Sequence, residues 1–454
     1  FLNETTMSVA LRPIMLDLGV DARTGQWLTT AFMLTMAVVI PVTGFLIQRL
    51  NTRPVFVMAM MLFCVGTLLA AVSPGFGGLL VGRVVQACGT ALMLPLLMTT
   101  LMTLVPAASR GAMMGNVTLV ISVAPAIGPT LSGLLLNTVG WRGIFWLMLP
   151  IAVAMLVAGV RFADNVSEPR PAPLDLLSVG LSALGFGGLV YGLSGVGADH
   201  GESSHAGVPP ALAVGLALGA LALFVLRQLR LQRQDAALLD LRTLRHRPFV
   251  VTLVIMCANM AALFGVIIVL PIYLLGVLRL QPLQAGLLLL PGGVLMGLLG
   301  RPVGRLYDRF GPRPLIVPGV ITVAAAAWSL VLLGQDTSPY QVMATHIGIC
   351  VGFGLVFTPL FTSGLGSLPE QLYSHGSATL ASLQQVAGAA GTALFVTVMS
   401  IGTTASVAGG DSADAALANG IRLAFFAAGV IALVPVAVAL AVRSAPASLE
   451  AGSG

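Results

Sequence analysis

Gly44-Phe-Leu-Ile-Gln-Arg-Leu-Asn-Thr-Arg-Pro-Val-Phe-Val57 returns 260 residues later as Gly304-Arg-Leu-Tyr-Asp-Arg-Phe-Gly-Pro-Arg-Pro-Leu-Ile-Val317, with six of fourteen positions identical. The shared residues are Gly44 and Gly304, Leu46 and Leu306, Arg49 and Arg309, Arg53 and Arg313, Pro54 and Pro314, and Val57 and Val317. Each copy joins two long apolar runs. A basic inter-helix loop used twice implies two related membrane halves, an organisation that membrane transporters use.

Composition fixes the solvent. Of 454 residues, 57% are hydrophobic and 8% are charged. A soluble domain carries about 25% charged residues. So few charges cannot cover a water-facing surface, so the chain is lipid-solvated. All 22 basic residues are Arg. They are scattered through short loops rather than gathered on one face, which argues against nucleic acid as a partner. Cys64, Cys88, Cys257 and Cys350 all lie in apolar runs and read as packing residues, not a disulfide framework. The chain opens at Phe1 inside an apolar run, which places the front of the first helix upstream, and the Gly-Ser-Gly end reads as an appended tail.

A spanning helix needs roughly 20 mostly apolar residues. Fourteen runs qualify, at about 1–15, 25–47, 54–72, 78–105, 110–136, 143–162, 175–196, 209–227, 249–277, 283–307, 313–333, 340–366, 376–407 and 419–443. Threaded through these, sixteen arginines fall on one side and five on the other, with Arg83 left inside a helix. The richer side is the cytoplasmic one. Both termini are then cytoplasmic, in a multi-pass protein of the plasma (inner) membrane. The expected fold is all-α: an N-terminal six-helix bundle over 1–165, two inserted helices over 166–228, a cytoplasmic interfacial segment over 229–248, and a C-terminal six-helix bundle over 249–454.

The repeated loop has a mechanical logic. Gly44 and Gly304 let helices approach closely at the cytoplasmic mouth. Arg49, Arg53, Arg309 and Arg313 can meet helix C-terminal carbonyls, or an acid, across the two halves. Asp308 is the acid of the second copy, where the first has Gln48; the second also has Gly311 where the first has Asn51. Gly293, Gly297, Gly300 and Gly304 make one smooth face on the helix that enters the second copy.

Further segments resemble motifs of the fourteen-span drug–proton antiporters of the major facilitator superfamily. Leu2-Asn-Glu-Thr-Thr-Met-Ser-Val-Ala-Leu11 resembles that family's first-helix motif, and Arg83-Val-Val-Gln-Ala-Cys-Gly-Thr-Ala91 its fourth-helix Arg motif. Ala124-Pro-Ala-Ile-Gly-Pro-Thr-Leu-Ser-Gly133, followed by Trp141-Arg142 and Pro150, resembles its fifth-helix antiporter motif. The resemblance spans essentially the whole chain. It implies proton-driven export of amphipathic, drug-like molecules by alternating access. There are departures. The family usually has Asp where Asn3 stands, its Arg-motif Gly is Ala87, its first loop usually carries an Asp, and a later Arg-Gln pair appears as Gln384-Gln385.

Glu4 is the one carboxylate placed well inside a span and Arg83 the one mid-span Arg. At 1.5 Å per residue they lie roughly 16 and 9 Å below the outer ends of their helices, within reach of each other if those helices are neighbours. Intramembrane charges are costly, so the pair is the candidate proton-coupling site. Met7, Ser8 and Leu11 share the Glu4 face, and Gln86, Thr90 and Leu94 share the Arg83 face; these are candidate substrate-cavity residues. Asn259, Gln384 and Gln385 are embedded amides that either contact substrate or bridge helices, and His346 is either a structural group or a second proton site. Pro125, Gly128, Pro129 and Gly133 are expected to bend and pack a seal between the halves.

No Gly-Lys-Ser/Thr phosphate loop is present and no His, Cys or carboxylate cluster has metal spacing, so the expectation is a non-enzyme with no cofactor or metal and the proton as coupling ion. The expected partners are a small amphipathic substrate and the bilayer, with the monomer as working unit. Export of one specific metabolite, lipid or antibiotic is the alternative. A non-transporting receptor or scaffold is the rival from another class, and it predicts a fixed Glu4–Arg83 pair.

Overall fold

The computed structural model describes residues 2–165, 175–196, 208–234 and 236–441. Those residues are helical throughout, with no strand among them. The first half comprises α1 (Leu2–Leu18), α2 (Ala22–Arg49), α3 (Thr52–Val72), α4 (Phe76–Leu104), α5 (Arg110–Thr138) and α6 (Arg142–Phe162). Then α7 (Leu176–Ser182) runs through a π turn into α8 (Gly188–Val196), and α9 (Pro210–Leu231) returns. The second half comprises α10 (Arg247–Ile272), α11 (Pro282–Phe310), α12 (Arg313–Leu330), α13 (Pro339–Gly366), α14 (Tyr373–Ala408) and α15 (Ala413–Ala441).

Among the described residues, twelve helical segments are long and apolar enough to cross a membrane. The fourteen expected from the sequence are not all reached by that measure. Leu2–Leu18 is 17 residues long, and Arg110–Thr138 does not appear in the set. Both still pack lengthwise in the first half, against each other. The outward faces are apolar: Met61, Trp146, Ile151 and Leu216 are each at least half exposed. In water such a surface would aggregate; in lipid it is solvated.

Local sequence explains several helix ends. Asp21 caps α2 by accepting from the Thr24 backbone N–H at 2.9 Å. Gln281 and Gln284 form a reciprocal capping box at the start of α11, with Pro282 in its first turn. The far end of α11 stops at Gly311, whose φ of 78° suits glycine. Asn51, its counterpart in the first loop, keeps an ordinary φ of −63°, so no glycine is needed there.

The 260-residue offset carries α2 onto α11, α3 onto α12 and α4 onto α13. Each half packs chiefly on itself, with α3 on α4 and α6, and α12 on α13 and α15. The halves meet through α5 on α11 and α2 on α14, two pairings that the repeat relates to each other. The inserted helices do not form a separate body. α7 and α8 lie against α2, α8 also against α14, and α9 packs on α7 and α8, with Phe186, Val190 and Phe224 sharing one apolar cluster with Ala37, Phe45 and Ala378.

The segment after α9 departs from expectation. It does not lie along the surface: Ala236, Ala237, Leu238, Leu239, Asp240 and Thr243 are all buried. Its sequence explains why, because an Ala-Ala-Leu-Leu run sits inside the Arg-rich stretch and has apolar surface to lose.

The inserted pair is held by an ion pair at the arginine-rich end. Arg227 Nη2 donates to Asp175 Oδ1 at 2.8 Å, and the Ser178 hydroxyl donates to Asp175 Oδ2. The Arg227 hydrogen bonds hold the Asp175 carboxyl at about 2, below its ordinary 3.8. A depressed carboxylate stabilises above its unfolded pKa, so this contribution is complete above about pH 4 and fades as pH falls toward 2. Because Arg227 is partly solvated, screening keeps the pair's contribution small. Asp175→Asn is therefore expected to lower the thermal midpoint by a few degrees at pH 7. The difference from wild type should shrink when both are melted at the lowest tolerated pH.

Candidate functional site

Arg83 sits seven residues into α4, with 1% of its surface exposed. Small residues bring its partners close. A methyl group at Gly66 would lie 2.3 Å from the Gln86 backbone N, one at Gly82 2.7 Å from Ala70 N, and one at Gly89 2.4 Å from the Ala59 carbonyl. The α3 and α4 backbones therefore touch, and Gln86 Nε2 reaches Thr67 Oγ1 at 2.8 Å. Arg83 Nη1 then donates twice, to Gln86 Oε1 at 2.6 Å and to Asn3 Oδ1 at 2.7 Å. The guanidinium carbon stands 4.1 Å from the centre of the Phe32 ring. Asn3, Thr67, Gln86 and Arg83 are all buried.

Among the described residues, every direct partner of this cation is neutral. Charge-assisted hydrogen bonds and the ring face offset part of its desolvation. Arg83 Nε and Asn3 Nδ2 remain buried donors without an acceptor. Glu4 does not pair with Arg83: Asn3, one residue earlier, takes that place. Residues one apart on a helix point about 100° apart, so only one of them can face α4. Glu4 is half-buried beside the cluster, and its charge acts on Arg83 through space.

The remaining candidates are dispersed. Met7 is 2% exposed and belongs to the first half's core, with Ala10, Ile14, Leu28, Trp141 and Phe145; Leu11 packs on the same cluster. Met7 and Gln86, being buried, line no open surface in this conformation. The Ser8 side chain lies outside the described residues. Thr90 is half-buried, with its hydroxyl on the Gln86 carbonyl at 3.0 Å, and Leu94 packs on the large core of the second half. Asn259 is buried, and neither its Oδ1 nor its Nδ2 has a partner; Gln384 Nε2 is likewise unpaired. Gln385 Nε2 reaches Met36 Sδ across the halves at 3.8 Å. His346 lies on Gly292 of α11, with Cys350 Sγ at 3.7 Å from Nε2. Among the described residues no hydrogen bond joins the Arg83 group to Asn259, Gln384 or His346.

The contact between halves is sharper than the sequence showed. A methyl group at Gly304 would sit 2.0 Å from the Gly111 carbonyl oxygen, and one at Gly115 2.2 Å from that of Gly300. The α5 and α11 backbones therefore lie directly on one another, Gly111 and Gly115 against Gly300 and Gly304. Asp308, one turn beyond Gly304, accepts from the Gly111 N–H at 2.7 Å and the Ala112 N–H at 2.8 Å. Its carboxylate thus occupies the N-terminus of α5, where the helix dipole favours negative charge. The expected arginine partner is replaced by backbone amides. Thr118 and Thr358 hydroxyls meet at 2.8 Å further along, and Thr99 and Ser377 at 2.9 Å.

The mirror contact is looser. A methyl at Gly44 would meet Ser374 O at 3.2 Å and Ala378 Cβ at 3.3 Å, and Gln48 Nε2 makes a single bond to Gln371 O at 3.1 Å. Three of the loop arginines act within their own halves. Arg53 donates to the Val160 carbonyl at the end of α6, Arg49 lies over Phe45, and Arg309 lies over Phe310.

The fifth-helix motif also takes another role. Gly128 packs on Thr5 of α1, where a methyl would meet Thr5 Oγ1 at 2.2 Å, and Ser132 Oγ donates to Thr6 O at 2.9 Å. Gly133 has open space, and the Pro125 and Pro129 side chains lie outside the described residues. Gly111, Gly115, Leu119 and Val123 follow one face of α5, whereas Gly128 is rotated about 140° from Val123 and faces α1. At the opposite end Asp17 accepts from Trp141 Nε1 at 2.9 Å and from Arg142 Nη1 at 3.1 Å, and Arg142 Nη2 reaches the Ser73 carbonyl at 3.1 Å. Gly111, Gly115 and Asp17 were missed in the sequence. Two glycines four apart were a weak signal, and Asp17 lies 124 residues from its partner with none.

Two helical halves, a duplicated loop and a bilayer-facing surface define a membrane transporter. The family model described as Major Facilitator Superfamily matches residues 1–392. The chain is 39% identical over 448 residues to the lincomycin resistance protein LmrB of Listeria innocua, covering 98% of this chain and 94% of that one. It is 37% identical over 438 residues to LmrB of Bacillus subtilis, covering 95% and 90%. A multidrug resistance protein B homolog of Mycobacterium tuberculosis is 30% identical over 397 residues, covering 86% and 72%. Among solved structures, the human organic anion transporter MFSD10 (TETRAN) superposes with a TM-score of 0.63 at 16% identity over 96% of both chains. The chain belongs to the Major Facilitator Superfamily.

The unequal clearances give a paired test. Gly304→Ala is expected to lower the thermal midpoint in detergent by about 5 °C, because backbone cannot yield, whereas Gly44→Ala stays within about 1 °C. Equal effects would show that the two contacts are equivalent.

Proposed function

We propose that the protein exports amphipathic drug-like molecules from the cytoplasm, driven by inward proton flow and alternating access of its two halves. The observation that carries proton coupling is Arg83: a buried cation with neutral direct partners, beside a single half-buried acid, Glu4. Protonated, Glu4 is neutral and its neighbourhood keeps a net positive charge. Deprotonated, it balances Arg83 and offers a carboxylate to a cationic or polar substrate. Proton and substrate then compete for one group, and by linkage each weakens the other. The unpaired Arg83 Nε and Asn3 Nδ2 supply donors for an acceptor brought in during the cycle.

Drug export is supported by the likeness to lincomycin and multidrug resistance proteins over most of the chain. A narrower reading, export of one antibiotic class, draws on the relatives named for lincomycin alone. In this reading the arginine-rich end is cytoplasmic, both termini lie there, and the protein works in the plasma membrane as a monomer without cofactor. The contacts at Gly111–Gly304 and Gly44–Ser374 then close the cytoplasmic mouth.

The test uses proteoliposomes with an imposed pH gradient. Glu4→Gln is expected to reduce substrate-dependent proton flux and uphill efflux at least tenfold while leaving downhill substrate exchange measurable. Full proton-coupled efflux by Glu4→Gln would overturn the assignment. Susceptibility profiling with lincomycin and unrelated lipophilic cations separates the broad from the narrow reading, since protection against both groups supports breadth.

A further inference from the structure

The stretch Leu238–Asp240, between α9 and α10, is tied to both sides of the looser contact between halves. Leu238 N–H and Leu239 N–H both donate to Gln228 Oε1 on α9, at 2.8 and 3.3 Å. Gln228 is fully buried, and its Nε2 donates to Ser178 Oγ at the start of α7 at 2.7 Å. On the other side, His375 of α14 is buried at the seam. His375 Nδ1 lies 3.4 Å from where a methyl on Gly44 of α2 would sit. The Leu238 and Leu239 side chains pack with Phe45 of α2, Phe224 of α9 and Ala378 of α14. Asp240 turns the chain away, accepting from the Arg242 backbone N–H at 2.8 Å and Arg242 Nε at 2.7 Å.

One extended segment therefore joins the inserted helices to the α2–α14 seam. Its backbone N–H groups hold the inserted helices and its leucine side chains hold the seam. We infer that Leu238–Asp240, held by Gln228, is a bolt across the cytoplasmic seam, and that the inserted helices serve to seat it. Parting α2 from α14 splits the cluster of Phe45, Ala378, Leu238 and Leu239 and exposes Leu238 and Leu239. The bolt supplements the thinner of the two inter-half contacts, where Gln48 makes a single hydrogen bond. It also gives α7–α9 a task that a twelve-helix bundle would leave undone. This inference rests on the alternating-access reading above.

The test reads seam opening directly. With the four native cysteines replaced, a single Ser374→Cys, buried at the seam, is labelled by a charged maleimide in inside-out vesicles. Gln228→Ala removes both backbone acceptor bonds and is expected to raise the labelling rate about tenfold. Gln228→Glu keeps the acceptor and is expected to label within about twofold of the parent, which separates loss of the bolt from a general loss of fold. Gly304→Val, acting at the other contact, serves as the positive control for opening. If Gly304→Val accelerates labelling and Gln228→Ala does not, the bolt is overturned. If neither variant changes the rate and substrate does not either, the seam does not open and the alternating-access reading fails with it.

Discussion

The structure depends on backbone meeting backbone between α5 and α11. Four glycines, Gly111, Gly115, Gly300 and Gly304, let the two backbones touch, and Asp308 closes the contact by occupying the free amides of α5. In lipid there is little hydrophobic drive to bring helices together, so close dispersion contact and satisfied polar groups must do it. This contact supplies both. A tight contact that is local to one end is what a rocking pair of bundles requires.

Duplication explains why a second, weaker contact exists. The α2–α14 seam is the repeat-related copy, with Gly44 where the other has Gly304 and Gln48 where the other has Asp308. A neutral amide there cannot use the helix dipole as a carboxylate does. The seam has instead drawn in other parts of the chain, the inserted helices and the Leu238–Asp240 segment. The two halves are thus related in ancestry and unequal in mechanics. The first half carries the buried cation, and the second carries the acid that caps α5.

Much of this was legible in the sequence. Low charge and long apolar runs required a membrane bundle, and the repeated loop located the halves and pointed to a stronger second copy. Arg83 was conspicuous because a mid-span charge has few innocent explanations. Side-chain direction was not legible. Helical spacing put Glu4, Met7 and Leu11 on one face, but spacing does not say which neighbour that face meets, and Met7 turned out to be core while Asn3 took Arg83. The partner of a glycine stripe was equally hidden, since Gly111 and Gly115 acquire meaning only once α11 is laid on them. The burial of 236–243 was masked by the flanking arginines, whose charge outweighed a short Ala-Ala-Leu-Leu run in any window average.

The two halves are clasped at the arginine-rich end, and the proposed cycle parts them there during transport. Spin labels at Arg49→Cys and Arg309→Cys, equivalent exposed positions of the repeated loop, report this distance by pulsed electron paramagnetic resonance. The expected result is a short population matching the structure and a longer one whose share changes with pH and with a transported substrate. A single distance that neither pH nor substrate alters, in protein shown to transport, would contradict it.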